Sequence, residues 1–239
     1  MSAKLTTIST GSIGNAYILE CNGEKLLIEL GVKWKDIMKG VGYDLSNIAF
    51  CLVTHQHGDH SKSIPEALKY GLKVYSTPNV TELYPKVKAL EPMKRYKIGN
   101  WKVLPLRVKH GECECFSYHV TMPDGQTLLF CTDAENFPYS IPNVNHLLIE
   151  ANYSEDILIN KMLDNADIRS ASNTHMELNT TISVINRLYS PNLRNTILIH
   201  LSNGLSDENG FKKAIFEQCG VRCECADAGR TFELNKEDF

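Results

Sequence analysis

No apolar run in this sequence is more than a few residues long, so no membrane-spanning helix is expected. The N-terminus has no signal-peptide pattern. Met1-Ser2-Ala3-Lys4 leads straight into a short apolar strand pattern, and the expected location is the cytoplasm. Cys-x-x-Cys is also absent. The eight cysteines include the pairs Cys113/Cys115 and Cys223/Cys225, whose spacing fits neither a redox motif nor a zinc ribbon. All eight are read as reduced, buried thiols. There is no internal repeat, low-complexity tract or linker, so one domain over residues 1–239 is expected, long enough to bury a core without staples.

A strong net charge is missing as well: the formal value is −3. The charge is nevertheless uneven. Lys86, Lys88, Lys94, Arg95, Lys97, Lys102, Arg107 and Lys109 share one segment with a single acid, Glu91, a local +7 that leaves −10 on the rest. This excludes a globally basic nucleic-acid binder. A basic wall beside a site and a lysine-protected sheet edge both remain open for the segment.

Periodicity and turn residues give the elements. Asn22-Gly23 between Tyr17–Glu20 and Lys25–Ile28 predicts a hairpin. Ala49–Val53 reads as a buried strand, Pro65–Tyr70 as a helix stopped by Gly71, and Thr77-Pro78 as a helix start. Further strands are expected at Trp101–Val108, Phe116–Met122, Gln126–Cys131, Leu147–Glu150 and Thr196–Ile199. Helices are expected from Ser154 through Leu163, from Glu177 to Leu188, and from Asp207 to Gly220. Two strand-rich sets, each followed by helices, imply an α/β fold of two packed sheets with helices outside.

Directly after the buried strand stands Thr54-His55-Gln56-His57-Gly58-Asp59-His60. Three imidazoles and a carboxylate in six residues are costly side by side unless a divalent cation binds them. This run resembles the signature of the metallo-β-lactamase superfamily, and the likeness extends over most of the chain. Ile28-Glu29-Leu30-Gly31 resembles the strand and turn before the signature, with Glu29 where the family usually has Asp. His110, Thr132-Asp133 and His200 follow strands as the family's remaining ligands do.

The resemblance implies a four-layer αββα sandwich and two metal ions. One ion would be held by His55, His57 and His110, the other by Asp59, His60 and His200, with Asp133 bridging. Zinc is the first expectation and manganese the alternative. His119 and His146 match no position and are read as structural. Zinc β-lactamases carry Cys where Asp133 stands, so the expectation moves from lactam to phosphodiester hydrolysis.

Four segments resemble the YycJ/WalJ-like branch, which includes proposed DNA exonucleases: Gly11-Ser12-Ile13-Gly14-Asn15, Ile149-Glu150-Ala151-Asn152, Asn173 to Asn179, and His200-Leu201-Ser202-Asn203. The third has lost its Gly and Ser. On this basis Ser12, Asn15, His175 and Asn203 are expected to contact substrate. His175 is a phosphate clamp or the acid that protonates the leaving oxygen, and Asp59 orients the attacking water. The partner is a nucleic acid or nucleotide, with a homodimer among the open oligomeric states. Only 66 residues separate Asp133 from His200, too few for the extra domain of β-CASP nucleases, and no Gly/Pro-rich arm resembles that of ribonuclease Z. Three alternatives stand: a cyclic- or short-nucleotide phosphodiesterase, a glyoxalase II-type thioester or ester hydrolase, and a metal-stabilised binding protein without turnover.

Overall fold

The computed structural model describes residues 3–162 and 174–234. The chain order is β1 (Ala3–Ser9), β2 (Ala16–Cys21), β3 (Glu24–Ile28), α1 (Trp34–Gly40), β4 (Ile48–Leu52), α2 (Gly58–Ser61), α3 (Ile64–Lys69), β5 (Val74–Ser76), α4 (Pro78–Leu83), β6 (Lys88–Ala89) and β7 (Tyr96–Ile98). Then come β8 (Trp101–His110), β9 (Cys113–Thr121), β10 (Thr127–Cys131), β11 (His146–Glu150), α5 (Glu155–Met162), α6 (Leu178–Leu188), β12 (Asn195–Ile199), α7 (Glu208–Cys219), β13 (Glu224–Cys225) and β14 (Thr231–Leu234).

Local chemistry explains several boundaries. Asn22 and Gly23 both have positive φ, which the tight turn between β2 and β3 demands. The Glu177 side chain accepts from the Asn179 and Thr180 amides and starts α6. Asp207 accepts from the Asn209 amide to start α7, and Gly220 ends it at φ +66°. The expected end of α5 at Leu163 lies outside the described residues.

The strands form two seven-stranded mixed sheets, ordered β14-β1-β2-β3-β4-β5-β6 and β13-β12-β11-β10-β9-β8-β7. Between them lies a core that includes Leu5, Leu19, Ile28, Phe50 and Leu52 from the first sheet and Phe116, Tyr118, Phe130, Leu148 and Ile199 from the second. Outside the first sheet, Ile37, Ile64 and Val80 of α1, α3 and α4 pack on Leu27, Cys51 and Val74. Outside the second, Ile182 and Ile185 of α6 and Phe211 and Ile215 of α7 pack on Leu129, Leu147 and Leu198. The result is the expected αββα layering.

Both sheets share one pairing pattern. From β14 to β6 there are three antiparallel pairings and then three parallel ones, and the same holds from β7 to β13. The sequence carries no repeat, so this duplication exists only in the topology. The pattern also places the site. Strands β8, β10, β11 and β12 all point the same way, and their C-terminal ends share one edge.

The edge strands β6, β7, β13 and β14 were not anticipated. They span two to four residues, too few for a periodic signal. Of the basic segment, β6 and β7 carry Lys88 and Lys97 at sheet edges, β8 carries Lys102, Arg107 and Lys109, and Lys86, Lys94 and Arg95 lie in connections. The thiol expectation also needs correction. Cys113 and Cys219 are only partly buried, because Cys113 starts β9 at an open rim and Cys219 ends α7.

Candidate metal centre

Strand β4 is buried and runs into buried Val53, Thr54 and His55. His57 then takes extended backbone and starts the four-residue α2, which carries Asp59 and His60. The Ser61 hydroxyl, placed to donate to the Gln56 and His57 carbonyls, ties this turn closed. The segment after β3 and the turn before β2 brace it from below: the Leu30 amide donates to the His60 carbonyl at 2.9 Å and the Asn15 amide to the Asp59 carbonyl at 2.8 Å. Gly31 passes so close that a Cβ there would lie 1.6 Å from the Asp59 carbonyl oxygen, so only glycine fits.

Against this loop the second sheet brings its strand ends. His110 closes β8, Asp133 lies two residues beyond β10, Glu150 closes β11 and His200 follows β12. Glu29, Asp133 and His200 all have left-handed backbone, with φ of +66°, +50° and +54°. Such strain in non-glycine residues persists where the surroundings fix it, and here it turns three side chains into one space.

Three groups of ligand atoms result among the described residues; two match the expected sets, and the third, Asp133, Glu150, His175 and His200, shares Asp133 and His200 with the second. In the first, His55, His57 and His110 meet. His55 Nε2 is 2.9 Å and His110 Nε2 3.2 Å from His57 Nδ1. His110 Nδ1–H donates to the Thr174 carbonyl at 2.8 Å, and His55 Nδ1 lies 2.9 Å from Thr54 Oγ1, so each ring turns its Nε2 inward. In the second, Asp59, His60, Asp133 and His200 meet. His60 Nε2 is 3.3 Å from Asp59 Oδ2 and 3.4 Å from Asp133 Oδ2. Asp133 Oδ2 is also 3.6 Å from His110 Nε2 and 3.9 Å from His55 Nε2, so one carboxylate oxygen faces both clusters.

This donor set fits divalent cations. Ligand atoms around a tetrahedral zinc with bonds of about 2.0–2.1 Å stand roughly 3.3 Å apart, close to the separations seen. Burial, then the charge of His60, holds His55 well below the usual histidine range. Burial, then His110, lowers His57. These rings stay neutral, the form a metal requires. The second cluster behaves in the opposite way. Burial alone would lower His60 and His200, but Asp133 and further carboxylates override it, raising His60 well up and His200 to about 10. Asp133 itself, which burial would push up, is held well below the carboxylate range by His200 and His60. The cluster attracts positive charge, which a divalent ion supplies.

Behind the clusters stand two buried carboxylates. Glu29 Oε2 accepts from the Thr54 amide at 3.2 Å, and Oε1 is 3.3 Å from His60 Nδ1. The extra methylene relative to Asp thus still delivers a carboxylate to that ring. Glu150 is fully buried and accepts from the Ala134 amide at 3.0 Å, His175 Nδ1 at 2.6 Å and His200 Nδ1 at 3.1 Å. It joins three segments of the site. Sequence reasoning quoted Glu150 but gave it no role; its position at the end of β11, beside the ends of β10 and β12, was the available signal.

His175 stands at the open side, its ring centroid 5.5 Å from that of His110 and 5.1 Å from that of His200. Ser12, His57, Asp59, Asp133 and His175 line a cleft of about 600 Å³.

Two expected substrate contacts are corrected. Asn15 is fully buried, its Oδ1 accepting from the Gly11 amide, its Nδ2 donating to the Gly11 and Asp59 carbonyls and lying 3.2 Å from His60 Nε2. It builds the loop and does not reach the cleft. Asn203 is exposed in the turn after His200 and does not line the cleft; Asn152, which donates to the His200 carbonyl at 2.8 Å, anchors that turn. His119 and His146 sit in β9 and β11 away from the site, and His146 Nδ1 donates to Asn195.

Comparison with known proteins agrees with this architecture. A family model described as "Anti-Pycsar protein Apyc1" matches residues 6–69. Exodeoxyribonuclease WalJ of Streptococcus pneumoniae serotype 2 (strain D39) is 25% identical over 174 residues, spanning 65% of this chain and 64% of WalJ. The metallo-β-lactamase fold protein YhfI of Bacillus subtilis superposes with a TM-score of 0.78 at 18% identity, over 98% of this chain and 100% of YhfI. Zn²⁺-bound PqqB of Methylobacterium extorquens has a TM-score of 0.71 at 13% identity, over 96% and 99% of the two chains. With two seven-stranded sheets between helical layers, the chain has the metallo-β-lactamase fold, and part of its sequence is similar to exodeoxyribonucleases WalJ and YycJ.

Proposed function

We propose that this chain is a binuclear-metal phosphodiester hydrolase acting on nucleic acid, of the exonuclease type. The observation that carries the reading is the pair of ligand clusters joined by Asp133, with His175 facing them across an open cleft. His55, His57 and His110 would hold one cation. Asp59, His60 and His200 would hold the other, and Asp133 would serve both. Zinc suits the nitrogen-only cluster; the oxygen-bearing cluster also admits manganese. When bound, the two cations supply Lewis-acid activation of water and neutralise phosphoryl charge.

The remaining work falls to the protein. Asp59 is half-buried at the cleft, and its carboxylate accepts from the attacking water and aims it at phosphorus. Opposite, His175 is fixed through Nδ1 by Glu150, which leaves Nε2 for the substrate. Burial would lower His175, but its bond to Glu150 raises it, which favours the protonated ring. That ring donates to a phosphoryl oxygen or protonates the departing one.

One observation favours a second reading, a phosphodiesterase of short or cyclic nucleotides. Of the basic segment, Arg107 and Lys109 reach the cavity beside the cleft, and both are engaged, with Glu114 at 2.6 Å and Glu135 at 2.8 Å. The neighbouring carboxylates offset the charge that these two residues would present to a phosphate backbone. Metal-reconstituted protein should be assayed on single-stranded DNA, double-stranded DNA, RNA and cyclic nucleotides over a salt series. Turnover of polymer that weakens steeply with salt supports the nuclease; turnover of cyclic nucleotides with little salt dependence supports the second reading. Hydrolysis of none of them would end both.

A further inference from the structure

The cleft continues past His110. The tip of the β8–β9 hairpin, Gly111 to Cys113, lines both the metal cleft and a second cavity of about 560 Å³. A space of that size accommodates a nucleoside, since small-molecule sites span roughly 300–1,000 Å³. A substrate with its phosphodiester at the metal clusters would place one flanking group here.

The chemistry of the second cavity is specific. Its lining carries Arg107 and Lys109 against Glu112, Glu114 and Glu135, one net negative charge. Both cations already have carboxylate partners. A phosphate entering this space meets three carboxylates against two cations, each of which already has a carboxylate beside it. A neutral heterocycle meets something different. The Tyr139 hydroxyl is spent on the Arg107 carbonyl at 2.8 Å, which fixes its ring in the wall as a flat apolar surface. Asn79 and Asn136 add side-chain amides, groups that both donate and accept. Stacking on an aromatic ring tolerates any base.

We propose, resting on the phosphodiesterase reading, that this cavity receives a terminal nucleoside bearing no further phosphate, so that the bond cleaved is the one next to an unphosphorylated end. The cavity thereby sets where along a chain the cut falls, and it applies equally to a polymer end and to a dinucleotide.

The test uses metal-reconstituted protein and three substrates: the thymidine dinucleoside monophosphate, and the same compound with an added 5′ or 3′ terminal phosphate. One of the two terminal phosphates should lower kcat/KM by on the order of tenfold or more, since like charges at contact distance near a surface repel on that scale. Glu114→Gln, which frees Arg107, should shrink the discrimination several-fold. Glu112→Gln, at the exposed hairpin tip, serves if the first variant folds poorly. Equal rates for all three compounds, or discrimination unchanged in folded variants, would overturn the proposal. Bis(p-nitrophenyl) phosphate separates the two levels. If the wild type does not hydrolyse it, the phosphodiesterase reading fails; if it does and discrimination is absent, only the subsite fails.

Discussion

The two halves of the candidate site are built from similar residues and behave oppositely. At His55 and His57 burial and neighbouring imidazoles outweigh the nearby carboxylates, and both rings are held neutral. His60 and His200 are buried at least as deeply, but Asp133, Glu29 and Glu150 surround them and the direction reverses. Burial therefore does not decide the state of a site histidine; the number of buried carboxylates in contact does. The first half is ready to accept a cation, and the second requires positive charge.

One Asp133 carboxylate oxygen faces histidines of both halves, and its loss should have the largest effect. Asp133→Ala is expected to lower phosphodiester turnover by at least about 10³-fold, the scale of losing a group that supports both ions. Metal analysis should show fewer than two ions per chain. An Asp133→Ala protein that keeps two ions and full turnover would dissolve the comparison.

With His175 acting on substrate and not on an ion, as proposed, His175→Ala should lower kcat by about 10²–10⁴-fold on nucleotide substrates. The loss should be small for p-nitrophenyl esters, whose leaving group needs no proton, and metal content should stay at two. An equal loss on both substrates would argue against an acid role.

Glu150 tests the charged half through stability. Glu150→Ala leaves the Ala134 amide, His175 and His200 without their shared acceptor. It should cost about 3–5 kcal/mol in denaturant unfolding, as breaking a buried charge network does. A cost under about 1 kcal/mol would mean that the contacts seen around Glu150 are not what holds the three strand ends together.

Histidines outside the site supply the control. Burial depresses His119 and His146 to about 4. Below about pH 6.5 the unfolded chain takes up these protons before the folded one does. Stability is thus fully present above that pH and is lost as pH falls toward 4, by about 1.4 kcal/mol per pH unit for each histidine. Replacing His146 with Gln should flatten the slope of unfolding free energy between pH 6.5 and 4. The smallest effect belongs to Asn203, which does not line the cleft: Asn203→Ala should change KM by less than about twofold.

Legibility in the sequence follows the same division. His55 to His60 is contiguous and could be read directly, because a single loop delivers four side chains. His110, Asp133 and His200 are scattered and were legible only through resemblance and strand-end placement. Glu29 was legible only as standing where the family usually has Asp, one methylene longer behind the ligands, and Glu150 only as part of a matching segment. Their function depends on which backbone amides and rings the β3–β4 and β10–β11–β12 registers bring to them, and no local pattern encodes that. Asn15 was misassigned for the same reason: a polar residue in a glycine turn reads alike whether it faces substrate or supports the loop. The matching strand-pairing pattern of the two sheets leaves no trace in the sequence, since pairing direction is set by connections and not by residue identity.

The most direct test is a titration of metal-free protein with Zn²⁺ or Mn²⁺, followed by hydrolysis of bis(p-nitrophenyl) phosphate. Two clusters sharing Asp133 should give activity that rises with added ion and saturates at two equivalents per chain. Saturation at one equivalent, or no hydrolysis at two with either ion, would contradict the binuclear account.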